Sequence, residues 1–343
     1  MGRTKSDHKN LMSQSLTPST EWKEQIGADE AARFAGYGQV FAAIQKRKSA
    51  KYGTGRALHR KQLTAARGTL EVLGGLPEFA RQGLFAAPAK FETLVRLSNG
   101  GLDSAPDKMP DIRGFAFRVL GVEGESALGN GPAKSQDFLL INQENFAFPK
   151  SDEFVAFVEA AANGHGALLK FLFKRYGLFG APGRLVKMVK AMGRPFGGFA
   201  VEPLHSAVPI ACGPYAVRVC LVPHPSNGVA DPEAKAAWGA DFSRRLAGQD
   251  LAWDLQLQPF VSESLTPIED ASVNWASDFT TVARLVLPKQ DTKSAAGQAL
   301  SSQAEAGVFD PWQALAAHRP LGDVQRARKV VYFASQQGRG AGT

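Results

Sequence analysis

Two cysteines in 343 residues, Cys212 and Cys220, are too few for a disulfide framework. No CxxC or CxxCH spacing offers a metal knuckle or a thioether-linked cofactor. The pair flanks Gly213-Pro214, which reads as a turn, so buried free thiols are expected there. Long hydrophobic runs are missing as well. No stretch approaches the roughly 20 apolar residues that span a bilayer, and the first twenty residues, MGRTKSDHKNLMSQSLTPST, contain no apolar signal core. These absences fit a soluble chain in a reducing cytoplasm. Acidic residues are outnumbered, 32 against 40 Lys and Arg, giving a net charge of +8. Yet no block of five or more consecutive cations occurs, so the charge does not indicate nucleic-acid binding. Internal repeats are missing too. What the chain does have is 44% hydrophobic composition and a length that can bury a core large enough to enclose a cofactor.

Residues 1–50 read as an N-terminal arm leading into a helix over roughly 28–50, which ends in the basic run Lys46-Arg47-Lys48. Eight short β-rich segments follow, at 67–74, 93–99, 112–122, 137–143, 207–212, 215–224, 253–261 and 281–288. Eight strands separated by Gly, Pro and Asn loops point to an α+β chain built on a closed eight-stranded antiparallel β-barrel over 51–290. A helical insertion at 151–195 interrupts the strands. Ser151 is its expected N-cap, with Asp152 and Glu153 in the first turn. Its second half, 168–194, mixes Leu, Phe, Val and Met with seven Lys and Arg and no acid. A basic outer face on a packed helix pair is the commoner source of such a mixture, and peripheral contact with a membrane surface or an amphipathic substrate is the alternative. Residues 291–343 read as a wrapping segment and a last helix at 323–338, capped by Asp323 and Gly338.

Within that last helix, Arg328, Tyr332, Ser335 and Arg339 are spaced 4, 3 and 4 and share one face. A guanidinium one turn before a tyrosine favours the phenolate, and a phenolate is a good ligand for ferric iron. Alone, an Arg-Tyr pair on a helix is commonplace. Upstream, Arg56-Ala57-Leu58-His59 runs on into Gly68-Thr69-Leu70-Glu71-Val72. Val95-Arg96-Leu97-Ser98, Asp111-Ile112-Arg113-Gly114-Phe115-Ala116 and Phe146-Ala147-Phe148-Pro149 then follow in order. Taken with TTVARLVLPKQ (280–290) and the Arg-x-x-x-Tyr helix, this series resembles the catalases from about residue 50 to the end.

The resemblance implies non-covalent haem b with Tyr332 as the axial ligand to ferric iron. It implies His59 as the base that takes a proton from one peroxide oxygen and returns it to the other, held by Ser98. Arg56, Arg96, Arg113, Phe148, Arg328, Ser335 and Arg339 are the implied haem contacts, with Arg328 on the phenol and three of the other arginines on the propionates. Catalases carry a distal Asn just before a Phe-Phe strand. Here that stretch is Ser135-Gln136-Asp137-Phe138-Leu139-Leu140, so Gln136, or Asn130 in the preceding loop, is left to supply an amide. Eleven residues follow Tyr332 in the chain of 343, which implies the short, catalase-related peroxidase branch without the helical C-terminal domain. The expected activity is reduction of hydrogen peroxide or organic hydroperoxides, with catalase turnover weak. A lipid hydroperoxide isomerase or lyase and a non-catalytic haem-binding protein are the alternatives. Homo-oligomers are an open expectation. His205, His224 and His318 read as structural.

Overall fold

The barrel forms because its strands alternate. Along β3 (Arg113–Val119), Phe115, Phe117 and Val119 point into one core while Gly114 and Ala116 point away from it. The same period of two runs through β1 (Gln62–Val72), β2 (Ala89–Asn99) and β4 (Gln136–Ile141), which contribute Leu70, Val95, Leu97, Phe138 and Leu140 to the interior. It recurs in β7 (Tyr215–Pro223), β8 (Leu251–Pro259) and β9 (Thr280–Leu287), where Trp253 is completely buried against Phe115 with ring centroids 5.4 Å apart. In this computed structural model, residues 16–341 are described, so residues 1–15 of the expected arm and the last two residues lie outside them.

Antiparallel pairing runs β4-β3-β2-β1-β9-β8-β7, and the two-residue strand β5 (Leu204–His205) closes the ring by pairing with both β4 and β7. Eight strands close the ring, the number expected from sequence. One expected strand differs in detail. Residues 207–212 do not form a single strand, because Ala207 takes a left-handed backbone at φ 59° and breaks the ladder. Only 210–212 is strand, as β6 (Ile210–Cys212), and β5 lies before the break; both run along the same edge of β7, opposite Val217 and Leu221 respectively.

Among the described residues, six α-helices surround the barrel. Helix α1 (Glu30–Tyr52) packs against the last helix, and Gly38 admits Val330 and Ala334 close to its backbone. The expected insertion is two helices, α2 (Ser151–Ala162) and α3 (His165–Met192). Helices α4 (Trp238–Gly248) and α5 (Ala295–Ala306) follow, and α6 (Asp323–Gln337) ends the order.

The capping expectations need correcting at both helices. Lys150 occupies the N-cap of α2, and Ser151 is the first helical residue. Asp323 likewise opens α6 behind Gly322 and does not cap its own helix. Its carboxylate instead accepts from the Ser151 backbone N–H at 2.7 Å and the Ser151 hydroxyl at 2.5 Å, so it serves the start of α2 across 172 residues. A buried carboxylate has more to gain from two donors on another helix than from a solvated N-cap. Gly338 does sit at the C-terminal end of α6.

Candidate active site

The outward-facing side chains of β2 and β3 form the floor of the main cavity, about 1320 Å³ including its open mouth. Arg96 and Ser98 project from β2, between the inward Val95 and Leu97, and Gly114 and Ala116 come from β3. His59 enters from the loop before β1 with φ 49°, a left-handed conformation uncommon for a side-chain-bearing residue and costing about 1–3 kcal/mol. The loop is held there because the His59 N–H donates to the Gly100 carbonyl at 3.0 Å and Arg96 donates to the His59 carbonyl at 3.0 Å.

The imidazole is oriented by a 3.0 Å hydrogen bond between its Nδ1 and Ser98 Oγ. It lies flat against Gly114, where an added Cβ would sit 2.4 Å from Nδ1. Burial, followed by the charges of Arg96, Arg328 and Arg56, pushes its pKa down to about 3. His59 is therefore a neutral base at any physiological pH.

The opposite wall belongs to α6. Arg328 donates to Tyr332 Oη at 2.9 Å and to Gln325 Oε1 at 2.9 Å, while Val331, Ser335 and Arg339 extend the same face into the cavity. Phe41, Phe146, Phe154 and Val208 supply apolar side walls. Near the floor, Arg56, Arg96 and Arg339 converge. Burial, reinforced by the charge of Arg96, pushes Arg56 down to about 9, and burial also lowers Arg96 and Arg339. Clustered cations out of water raise each other's free energy, so the cluster calls for anions.

One carboxylate of the chain already stands there. Glu305, at the end of α5, pairs with Arg56 at 2.9 Å and with Arg96 at 2.9 Å. Arg56 and Arg339 also take the backbone carbonyls of Glu305 and Gly307 that the end of α5 leaves free. Sequence reading missed Glu305, whose only signal is being the single acid in AAGQALSSQAEA. It also missed Gln336, which lines the cavity and donates to Asp310 Oδ2 at 2.6 Å. Burial pushes Asp310 up to about 6.

Of the residues expected at the site, Arg56, His59, Arg96, Ser98, Arg328, Tyr332, Ser335 and Arg339 line this one cavity, and Gln136, its alternative Asn130, Phe148 and Arg113 do not. Gln136 is buried behind it, with Oε1 accepting from the Leu315 N–H at 3.0 Å, so its amide serves a loop. Asn130 is exposed on its loop and does not line the cavity. Among the described residues no Asn amide lines the cavity, whose β4 side is formed by Leu139, Leu140 and Ile141. Phe148 is buried among Phe154 and Phe157, at 5.8 and 5.3 Å, one layer back from the wall.

Arg113 turns its guanidinium to Asn99 and to the carbonyls of Asp107 and Met109, and Asp111 takes the Gly101 and Ile112 N–H groups. The Asp111–Arg113 motif thus builds the loop whose Gly100 carbonyl seats His59. His318 is structural, accepting from the Leu84 N–H, and both cysteines are buried and unpaired, their thiols pushed up to about 12 by burial.

No family model matches the chain, and no curated protein is similar to it in sequence. Among solved structures, its fold matches those of catalases. A bacterial catalase superposes with a TM-score of 0.62 at 18% identity, covering 87% of this chain and 60% of the other. A fungal catalase gives 0.63 at 16%, covering 83% and 58%. Catalase A from Saccharomyces cerevisiae gives 0.65 at 16%, covering 83% and 61%. At such identities the likeness is one of fold. The chain spans about 60% of the length of these proteins.

Proposed function

We propose that this chain is a haem-dependent oxidoreductase that decomposes peroxides. The observation that carries the reading is the meeting of two pairs in one cavity, His59 with Ser98 on the barrel side and Tyr332 with Arg328 on α6.

The donor set fits ferric haem b. Among the described residues no three His, Cys, Asp or Glu side chains gather to hold a metal. A lone phenol therefore suits an ion that brings its other ligands in a macrocycle. Apolar side walls suit the macrocycle faces, and Arg56, Arg96 and Arg339 suit its two carboxylates. Tyr332 would ligate the iron through its phenolic oxygen, which accepts a hydrogen bond from Arg328 at 2.9 Å. Haem would supply the redox chemistry of O–O cleavage. The chain's own contribution is proton movement. Neutral His59 Nε2 accepts a proton from one peroxide oxygen and delivers it to the departing one, while Ser98 fixes the ring through Nδ1.

The aliphatic β4 side of the cavity, without an Asn amide, favours peroxidase over catalase turnover, with hydrogen peroxide or organic hydroperoxides as substrates. The test is reconstitution with ferric haem b of the wild type and of Tyr332→Phe. Wild type should show a high-spin tyrosinate spectrum and faster oxidation of an organic donor than oxygen release from hydrogen peroxide. Tyr332→Phe should lose haem or shift the ligand-field bands. An unchanged spectrum in the variant rules out Tyr332 as ligand, and absence of haem uptake by wild type rules out the function.

A further inference from the structure

Helix α3 is barely buried. Of its 28 residues only Leu172 and Ala181 are, and the helix is pinned to α2 mainly by Tyr176 and Arg184 on Glu153. Its sequence nonetheless carries apolar side chains throughout, and many of them face outward. Gly177, at φ 69° and ψ 178°, breaks the helix into two arms, a conformation that a residue with a Cβ rarely adopts. At the break stand Leu178, 76% exposed, and Phe179, 99% exposed. Leu169 and Phe173 on the first arm and Val186 and Val189 on the second are exposed as well. Large apolar side chains exposed along both arms of one helix mark an interaction site.

The charge on the same arms selects the partner. Lys170 and Lys174 precede the break, Lys187, Lys190 and Arg194 follow it, all are exposed, Arg175 is shared with Asp152 and Glu153 of α2 at 3.7 and 3.8 Å, and no acid occurs from 165 to 194. In a symmetric pairing of two copies this face would meet itself, bringing like charges together across an interface whose core ordinarily excludes lysine. A bilayer with anionic headgroups resolves both properties at once. Phe179 and Leu178 enter the acyl boundary, and the long basic side chains extend to the phosphates.

We propose that α3 is a membrane-docking element, with the Leu178-Phe179 apex inserting into an anionic lipid surface. The proposal does not depend on the haem reading.

The experiment is flotation of the full-length protein with vesicles of phosphatidylcholine alone, or of phosphatidylcholine and phosphatidylglycerol in equal parts, at low and high salt. Binding is expected only to the anionic vesicles and should weaken as salt rises. The double variant Leu178→Glu, Phe179→Glu should reduce the partition coefficient by about tenfold or more, since a charge at the apolar boundary opposes insertion. The double variant Lys187→Glu, Lys190→Glu should reduce it similarly. Val229→Glu, an exposed apolar position elsewhere at 83%, should bind like wild type. Failure of wild type to float with anionic vesicles overturns the proposal, as does an apex variant that binds as well as wild type. Sedimentation equilibrium covers the remaining occupant: a dimer that the apex variant dissociates, with no vesicle binding, makes the face a self-interface and also overturns it.

Discussion

One methyl group at position 114 tests how the site is built. An alanine Cβ would lie 2.4 Å from His59 Nδ1 and 2.8 Å from Ser98 Oγ, so the imidazole must leave its seat. Gly114→Ala should keep haem uptake and cost about 1–3 kcal/mol of stability by overpacking. It should also slow the stopped-flow reaction with peroxide by about a hundredfold or more, the usual contribution of a positioned base. A wild-type rate would remove His59 from the reaction. The protonation state of that base gives a second prediction. With its pKa pushed down to about 3, His59 stays unprotonated far below the ordinary histidine value of 6.5. The peroxide step should then be flat from about pH 8 down to about pH 5, and an acid limb near 6.5 would contradict the burial and charge that set the shift. A histidine depressed by folding contributes stability above 6.5 that is lost as pH falls toward 3, and His318, pushed down to about 4 by burial, behaves likewise. Asp310, raised to about 6, runs the other way, contributing below 3.8 and losing its contribution as pH rises through 6. At this scale the Arg328–Tyr332 turn was legible from residue type and spacing, whereas the His59–Ser98 pair, 39 residues apart, was legible only through the resemblance to the catalases. It was not legible for Gln136, because whether an amide faces the cavity or a neighbouring backbone N–H depends on the pleat and on a loop 179 residues away.

Helix α6 is held in register by charge as much as by packing, and that part of the fold was invisible in the sequence. Arg326 reaches three carboxylates, Glu24 at 2.7 Å, Glu30 at 2.6 Å and Glu269 at 2.9 Å, which come from the segment before α1, from α1 itself and from the loop after β8. All four side chains are nearly buried. Arg326 is raised by these partners against the cost of burial, and Glu24 is lowered by the Gly322 N–H, Arg319 and Arg326 despite that same cost. No local spacing relates residues 24, 30, 269 and 326, so only the tertiary structure reveals the cluster. Removing the cation leaves three carboxylates facing one another out of water. Arg326→Met should therefore cost about 3–5 kcal/mol, measured as a fall in the denaturant midpoint. It should also loosen haem, since Arg328 and Tyr332 sit within two turns of the cluster. A midpoint within about 0.5 kcal/mol of wild type would show that apolar packing against α1 suffices. The barrel strands were easier to anticipate, because an interior fed by every second residue imprints its period on the sequence. The break at Ala207 was not, since nothing about an alanine announces a left-handed backbone.

Over the whole molecule, the cavity concentrates positive charge that the rest of the chain does not balance. Arg56, Arg96, Arg328 and Arg339 line it, and Glu305 is the carboxylate paired with Arg56 and Arg96. Like charges held together in a partly dry cavity lower folding stability, and an anion that binds only the folded state returns it. Haem b would bring two carboxylates to that cluster. At a hundredfold excess over its Kd it should raise unfolding free energy by about 2.7 kcal/mol, read as a shift in the denaturant midpoint. Glu305 sharpens the prediction, because its carboxylate pairs with the same arginines the propionates would use. Glu305→Gln keeps the shape, removes the competing charge and should tighten haem binding in a Soret titration, while lowering the stability of the haem-free protein. If the variant instead binds haem more weakly, Glu305 serves to hold Arg56 and Arg96 in position, and the propionates must then share the cluster with it.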